Sequence, residues 1–299
     1  MIAAAFGFSL IASLLVAVVG RRDALRAPRL TATVILLLLA FPFLSLLPKL
    51  AVLPPTDSPT GEGNPLLTAL WLVGGMLCAA RPLLAMGELR RWHQQSRFLR
   101  TVPLSARRRA QVRELDRLDG PVAAGIFRPT IFVPRAWNQW SPETQRGVLA
   151  HELAHLRRND PLWRWLGAIA CAVHWFNPFA WWLVRRHALQ AEFACDAQVL
   201  RSGIAARHYA TLLCEIASSA RTPHGAVAMA EKSQLHRRVE RLFQPPGLIS
   251  PLFCGVLIAA VGAIALALSV VRPAAPSGAV RISVEEVRLR LQADPFPGD

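Results

Sequence analysis

The sequence predicts a mainly α-helical, multi-pass membrane protein with four transmembrane helices and one cytoplasmic domain that contains a short β-hairpin or sheet. Apolar residues make up 53% of the chain and the mean hydropathy is +0.32. This composition excludes a largely disordered chain and argues against an ordinary soluble enzyme. Four segments are apolar over the length of about 20 residues that crosses a bilayer. The net charge of +15 lies mostly in one stretch between them.

The four predicted spans cover residues 2–19, 31–53, 66–86 and 252–271. The first of these could be mistaken for a signal peptide. No basic segment precedes it, however, and Arg21 and Arg22 follow it. Since a signal peptide has its positive charge before the apolar run, we predict a retained span.

The charge of the loops predicts the orientation of the spans. Residues 21–30 hold four Arg against one Asp, whereas residues 54–65 hold two acids and no Lys or Arg. Positive loops face the cytoplasm. We therefore expect a multi-pass protein of the cell (inner) membrane, with the N-terminus and the C-terminal tail outside. Its predicted parts are a three-helix transmembrane region (1–86), a cytoplasmic domain (87–247), the fourth transmembrane helix (252–271) and a short extracytoplasmic tail (272–299).

The positive charge belongs to the cytoplasmic domain. Residues 87–247 carry 24 Lys and Arg against 12 Asp and Glu, a net +12 of the total +15. This surplus lies next to a membrane with anionic headgroups. The predicted partner is therefore the lipid bilayer, and we expect no direct nucleic-acid binding. None of the five Cys lies in a predicted external loop, so no disulfide is expected.

The sequence of the cytoplasmic domain predicts a series of short helices and strands. Residues 83–119 predict a juxtamembrane helix followed by polar, Arg-rich structure. Residues 120–134 are β-branched and aromatic between Gly and Pro, which indicates two short strands or a hairpin, with Pro129 favouring an edge position. Residues 162–183 predict a buried or membrane-apposed hairpin rather than a fifth span. Further predicted helices cover residues 179–201, 206–219 and 233–243, the last of them at the membrane face.

The candidate chemistry begins on a helix that starts at Ser141-Pro142 and runs to about Arg158. It contains His151-Glu152-Leu-Ala-His155. Residues four apart share one helix face, so the two imidazoles converge. Neutral imidazoles bind Zn²⁺ well, and a carboxylate beside the metal is placed to take a proton from water. We expect His151 and His155 as zinc ligands and Glu152 as the catalytic base.

A catalytic zinc site needs a third protein ligand, and the next strong helix offers one. Glu192 and Asp196 are again four apart. Glu192 completes a His₂Glu set, and Asp196 is placed behind it to accept the second N–H of a ligating His. The competitors for the third ligand are His174, His187 and Asp160.

Three other side chains near these motifs have weaker functional interpretations. Cys195 is a thiol that could bind zinc, although a small buried residue is the simpler interpretation. Tyr209, the one tyrosine, and His174 could each polarise a substrate carbonyl, with packing or capping as the alternative. The extended segment 126–133 could bind substrate as an added strand.

Taken together, these motifs resemble a known family. Residues 148–160, Trp175-Phe-Asn-Pro178 and residues 192–200 look like the integral-membrane zinc metallopeptidases of the BlaR/MecR antirepressor type, and residues 125–134 resemble the strand before their catalytic helix. The resemblance covers about residues 1–270. It implies a gluzincin-like domain, His151, His155 and Glu192 as ligands, and Glu152 as general base. It also implies a role in transmembrane signalling through proteolysis of a cytoplasmic protein, typically a DNA-binding repressor.

The sequence departs from the family at one end. Well-known members carry a large external penicillin-binding sensor after the fourth span, whereas residues 272–299 contain no Ser-x-x-Lys motif. We therefore expect no direct acylation of this chain by β-lactams, and a separate sensor or a homodimer stays open. Two other functions also stay open: a quality-control or processing metalloprotease of the membrane, and a non-enzymatic membrane adaptor with a structural zinc.

Overall fold

The structure, a computed structural model, describes residues 2–19, 27–44, 65–219, 226–244, 256, 259–260 and 262–264. Its helices are α1 (Ile2–Val19), α2 (Ala27–Leu44), α3 (Pro65–Gln95), α4 (Pro142–Arg157), α5 (Asp160–Val173), α6 (Pro178–Arg201), α7 (Ala206–Ser219) and α8 (Ala226–Leu242). Its strands are β1 (Arg97–Pro103), β2 (Arg109–Glu114), β3 (Val122–Ala124) and β4 (Thr130–Val133). The fold is mainly helical with one small sheet, as the sequence predicts.

Among the described residues, one helix is long and apolar enough to cross a membrane, Thr68–Gln95 within α3. Two shorter apolar stretches, Gly7–Ala17 and Ala27–Ala40, lie in α1 and α2. The predicted fourth span lies outside the described residues except for six helical positions between 256 and 264. The tail 272–299 and residues 45–64 lie outside them entirely. The four-span layout therefore stays a prediction.

The sheet has the strand order β1-β2-β4-β3. β3 and β4 form the antiparallel hairpin predicted for residues 120–134, and β4 pairs in parallel with β2. β4 is an inner strand with all four residues buried, because it is covered on both faces. The prediction that this segment occupies an edge is therefore wrong for β4: the edge strand of the hairpin is β3. Strands β1 and β2 fall in the stretch predicted only as polar and Arg-rich.

Two apolar cores hold the described residues together. The first lies between the sheet, α4 and α7, and includes Val112, Ile131, Val148 and Leu212. The second lies between α1, α2 and α6. Helices α5 and α6 form a hairpin that packs along α2, with α5 also against α3 and α6 against α1. This agrees with a buried hairpin at residues 162–183, and it joins the apolar helices to the domain that carries the candidate metal ligands.

Candidate metal centre

The candidate site begins on α4, whose start is fixed by its cap. The Ser141 hydroxyl accepts a hydrogen bond from the Thr144 backbone N–H at 3.2 Å, and Pro142 takes the first helical position. Such a cap satisfies an N–H group that has no partner within the helix. The helix then places His151 and His155 one turn apart with their rings edge to face, 4.8 Å between centroids. Both side chains are buried, and their Nε2 atoms lie 3.2 Å apart.

Helix α6 brings Glu192 to these two nitrogens. Its Oε2 lies 3.4 Å from His151 Nε2 and its Oε1 lies 3.6 Å from His155 Nε2. The three residues form one group whose ligand atoms all lie within 4.8 Å of one another. A tetrahedral zinc ion with ligands about 2.0–2.1 Å away has edges of about 3.4 Å. Both the donor set and the spacing of this triangle therefore fit a zinc ion.

Carboxylates stand behind both imidazoles. His155 Nδ1 lies 2.8 Å from Asp160 Oδ2, and that oxygen also accepts from Arg158 Nε at 3.3 Å. An acceptor at Nδ1 fixes the ring orientation and leaves Nε2 free to bind a metal. Cys195 lies near the same oxygen, with Sγ 3.7 Å from Asp160 Oδ2. His155, Asp160 and Cys195 thus form a second group of ligand types, but it shares His155 with the triangle.

His151 is held through Tyr209 and Asp196. The Tyr209 hydroxyl lies 2.9 Å from His151 Nδ1 and donates to Asp196 Oδ1 at 2.8 Å. Asp196 Oδ1 itself lies 3.2 Å from the same nitrogen. The His151 N–H therefore faces two acceptors, and the phenol is the nearer one. The sequence anticipates Asp196 at this position, whereas Tyr209 serves here as a bridge behind the ring.

Arg238, a half-buried residue without a distinguishing motif in the sequence, completes the cluster. Arg238 on α8 donates from Nε to Asp196 Oδ2 at 2.9 Å and from Nη2 to Asp196 Oδ1 at 2.7 Å. Its Nη1 lies 3.3 Å from Glu192 Oε2, and its side chain is 17% exposed. The sequence predicts α8 at the membrane face, but the Arg238 side chain points into the candidate metal site. A single Arg in a basic helix gives no sequence signal that separates it from its neighbours.

The charges set the protonation of the cluster. Burial alone raises the pKa of Glu192, but hydrogen bonds from His151 and His155 outweigh it and hold that pKa well below its ordinary value. Burial also raises the pKa of Asp196, and the Arg238 guanidinium together with His151 lowers it to about 2. Both carboxylates are therefore ionised and available as ligand or acceptor near neutral pH.

The imidazoles respond to the same carboxylates. Burial lowers the pKa of His155, but the hydrogen bond from its ring to Asp160 is the main influence that raises that pKa well above its ordinary value. The pKa of His151 is also raised, by Asp196 and Glu192 against the effect of burial. The pKa of Arg238 is raised by Asp196 and Glu192, so its side chain is a permanent cation.

A cavity of about 240 Å³ opens onto this cluster. Its walls come from the segment before and within β3, from α4, α5, α6 and α7, and from Arg238. Glu152 lines it next to the two imidazoles, and its side chain is buried at 8% exposure. The three predicted zinc ligands and the predicted base Glu152 all line the cavity, whereas Asp196 does not.

The competing ligand candidates lie elsewhere. His174 at the end of α5 lies 2.9 Å through Nε2 from the Leu38 carbonyl oxygen of α2. The His187 ring is buried near Trp163, with 6.0 Å between centroids. Asp160 lies behind His155 rather than in the triangle. Asp160 follows α4 closely in the chain, and Asn159, at φ 57°, turns the chain between them.

The chain matches a known family of peptidases. The family model described as BlaR1 peptidase M56 matches residues 54–242, more than half of the chain. A regulatory protein BlaR1 from Bacillus licheniformis is 28% identical over 126 residues, which are 42% of this chain and 21% of that relative. The match thus spans about a fifth of the relative's length.

Proposed function

We propose that this chain, which belongs to the BlaR1 peptidase M56 family, is a membrane-bound zinc endopeptidase that hydrolyses peptide bonds of a cytoplasmic protein in a transmembrane signalling pathway. The observation that carries the proposal is the triangle of His151 Nε2, His155 Nε2 and Glu192, with edges of 3.2–3.6 Å. These residues would hold the zinc. Zinc bound there would supply Lewis-acid polarisation of the scissile carbonyl.

In the proposed mechanism, Glu152 carries a proton from the attacking water to the departing amide nitrogen. Water adds through its oxygen to the carbonyl carbon, and Glu152 takes the proton that the water loses. The carbon–nitrogen bond then breaks, and the proton moves from Glu152 to the departing amide nitrogen. The products are a carboxylic acid and an amine, and transfer of the acid proton to the amine leaves a carboxylate and an ammonium group. Glu152 is buried and lines the cavity that opens onto the ligand triangle.

The substrate would bind along β3 rather than along the segment 126–133. β4 is already paired on both sides, whereas β3 ends the sheet of the described residues. Gly120, Pro121, Val122 and Ala123 line the cavity beside α4. An extended peptide that adds a strand to β3 would therefore cross the cavity in front of Glu152.

The proposed partners are a cytoplasmic protein substrate and the lipid bilayer. The relative is a regulatory protein, which supports a regulatory target such as a DNA-binding repressor. In the proposed topology, the N-terminus and the tail lie outside the cell membrane and the metal centre lies in the cytoplasm. A separate sensor chain or a homodimer would supply the signal.

The test compares two glutamates of α4. In membranes that contain the full chain, Glu152→Gln should lower cleavage of a co-expressed cytoplasmic substrate by about 10²–10⁴-fold, as loss of a general base does. Glu143→Gln is the matched control, since Glu143 is exposed in the first turn of the same helix. A zinc chelator should abolish cleavage by the unaltered chain. Undiminished cleavage by Glu152→Gln would refute the mechanism.

The inactive variant also identifies the target. Proteins retained by Glu152→Gln, but not by the same variant after zinc removal, should include a DNA-binding repressor. Misfolded membrane proteins in that fraction would favour a quality-control or processing protease instead. Stoichiometric zinc without chelator-sensitive hydrolysis would favour the membrane adaptor with a structural zinc.

A further inference from the structure

Peptide hydrolysis places negative charge on the carbonyl oxygen of the scissile bond, and a hydrogen-bond donor fixed at that oxygen accelerates the reaction. Two cationic side chains line the cavity among the described residues, Arg164 and Arg238. They differ in how firmly they are held. Arg164 is 57% exposed and makes one contact of 3.4 Å with Glu192, whereas Arg238 is 17% exposed.

The guanidinium of Arg238 is fixed by two parallel hydrogen bonds. Nε and Nη2 donate to the two oxygens of Asp196 at 2.9 and 2.7 Å. This bidentate geometry fixes the plane of the group. The Nη1 hydrogens are not used by Asp196. Nη1 lies 3.3 Å from Glu192 Oε2, and Nη2 lies 3.5 Å from His151 Nε2. The edge of the guanidinium therefore reaches the atoms of the ligand triangle.

The position of Arg238 beside the candidate ligand atoms has a consequence for zinc binding. A cation beside metal-ligand atoms repels the metal and weakens its binding. In the metal-free chain the contact with Glu192 is an ion pair, so the guanidinium faces two carboxylates, Asp196 and Glu192. The same position is favourable when an anion forms in the cavity, because the Arg238 guanidinium and a bound zinc ion would then both face that anion.

The other donor considered from the sequence is already engaged. The Tyr209 hydroxyl donates to Asp196 and faces Nδ1 of His151, the nitrogen turned away from the triangle. His174 is occupied at the Leu38 carbonyl. Neither side chain is placed to donate to a carbonyl oxygen in front of Glu152.

We propose that Arg238 is a further catalytic residue, which donates from Nη1 to the carbonyl oxygen of the scissile peptide as water adds to the carbonyl carbon. Asp196 positions the guanidinium for this contact. The inference rests on the proposed peptidase function and deepens it, since it assigns the group that stabilises the oxyanion. It also makes α8 a part of the active site, although α8 carries no recognisable motif.

The test uses the zinc-loaded full chain in detergent micelles and a tetrahedral anion as probe, the phosphoramidate dipeptide N-phosphoryl-Leu-Trp. Arg238→Gln should weaken its binding by about 10²-fold, the loss typical of a removed oxyanion donor. Zinc affinity should stay equal or increase, because a repelling cation is gone. Arg237→Gln is the matched control, an exposed neighbour on the same helix that should bind probe and zinc as the unaltered chain does.

A second variant distinguishes loss of the Arg238 contact from misfolding of the chain. Arg238→Lys keeps a cation for Asp196 but loses the planar pair of hydrogen bonds and the reach of Nη1. It should fold, bind zinc and bind the anion at least tenfold more weakly. In both variants kcat should fall more than KM rises, because the contact forms in the transition state.

Three results would overturn the inference. The first is anion binding by Arg238→Gln at the strength of the unaltered chain. The second is a parallel loss of zinc by both Arg238 variants, which would make the residue a support of the metal site. The third is failure of the unaltered chain to bind the anion. A different result would separate the two proposals. If the chain cleaves no substrate but binds the anion in a way that depends on Arg238, the proposed function is contradicted and the contact between Arg238 and the anion is supported.

Discussion

Two buried polar clusters are built around α6, with residues from other helices, and they are held together in different ways. The metal-site cluster, at the second half of the helix, consists of His151, His155, Asp160, Glu192, Asp196, Tyr209 and Arg238. The hairpin-tip cluster, at the start of the helix, consists of Ser9, His174 and Asn177. In the first, each charged group faces an opposite charge at 2.7–3.6 Å. In the second, the side chains make hydrogen bonds to uncharged groups.

The hairpin-tip cluster joins α5 and α6 to the apolar helices. Asn177 Nδ2 donates to Ser9 Oγ of α1 at 2.8 Å. Farther along α6, the Gln190 side chain contacts Thr31 of α2. His174 reaches the Leu38 carbonyl of α2. Uncharged groups can be buried against apolar helices at modest cost, whereas charges need close partners. One helix therefore presents neutral groups to the predicted spans and charged groups to the candidate zinc site.

The largest predicted effect comes from breaking the metal-site cluster. Asp196→Ala leaves the Arg238 guanidinium and the Tyr209 hydroxyl buried without their acceptor. The free energy of unfolding of the metal-free chain should fall by about 3–5 kcal/mol, as it does when one partner of a buried ion pair is removed. Chemical denaturation in detergent measures it. Glu215→Ala, at an exposed acid of α7, should change it by less than about 0.5 kcal/mol. A similarly small change for Asp196→Ala would show that the metal-site cluster does not depend on its paired charges for stability.

A smaller effect is expected where the hairpin tip packs against α3. A Cβ atom at Gly74 would lie 2.3 Å from Trp175 Cε2, so the indole must move. That ring also donates from Nε1 to the Trp71 carbonyl at 3.1 Å. Gly74→Ala should therefore lower the free energy of unfolding by about 1–3 kcal/mol, the range for overpacking.

Gly87 gives the matched control on the same helix. A Cβ there meets nothing within 4 Å, so Gly87→Ala should raise the free energy of unfolding by up to about 1 kcal/mol through reduced backbone entropy. Equal melting temperatures for the two variants would contradict close packing as the means by which the hairpin tip joins α3.

The smallest effect is expected from one neutral hydrogen-bonding residue at the tip. Asn177→Ala removes the donor to Ser9 and the side-chain oxygen that accepts from the Phe179 N–H at 3.1 Å. The expected loss is about 1–2 kcal/mol, from one cap and one neutral hydrogen bond. Asn177→Ser keeps a capping oxygen and should lose less. A loss for Asn177→Ala as large as that for Asp196→Ala would remove the contrast between the clusters.

Local signals in the sequence account for much of the fold. Ser141 as cap and Pro142 at the first position predict the start of α4, and the bounds of α7 are those predicted. The β3–β4 hairpin follows from β-branched residues between Gly and Pro. β1 and β2 escaped prediction because their residues are mostly Arg and other polar types. Their strand conformation depends on pairing with each other and with β4, which lies far along the chain.

By itself, the sequence determined which side chains share one helix face: His151 with His155, and Glu192 with Asp196. Helical periodicity is a local property, so these pairs could be named before any packing was known. Only the tertiary structure decided that the two faces meet in one triangle, that Asp160 and Tyr209 lie behind the imidazoles, and that Arg238 enters from α8. These contacts join residues of different elements, up to 87 positions apart. Their geometry depends on how helices pack, which no local pattern encodes.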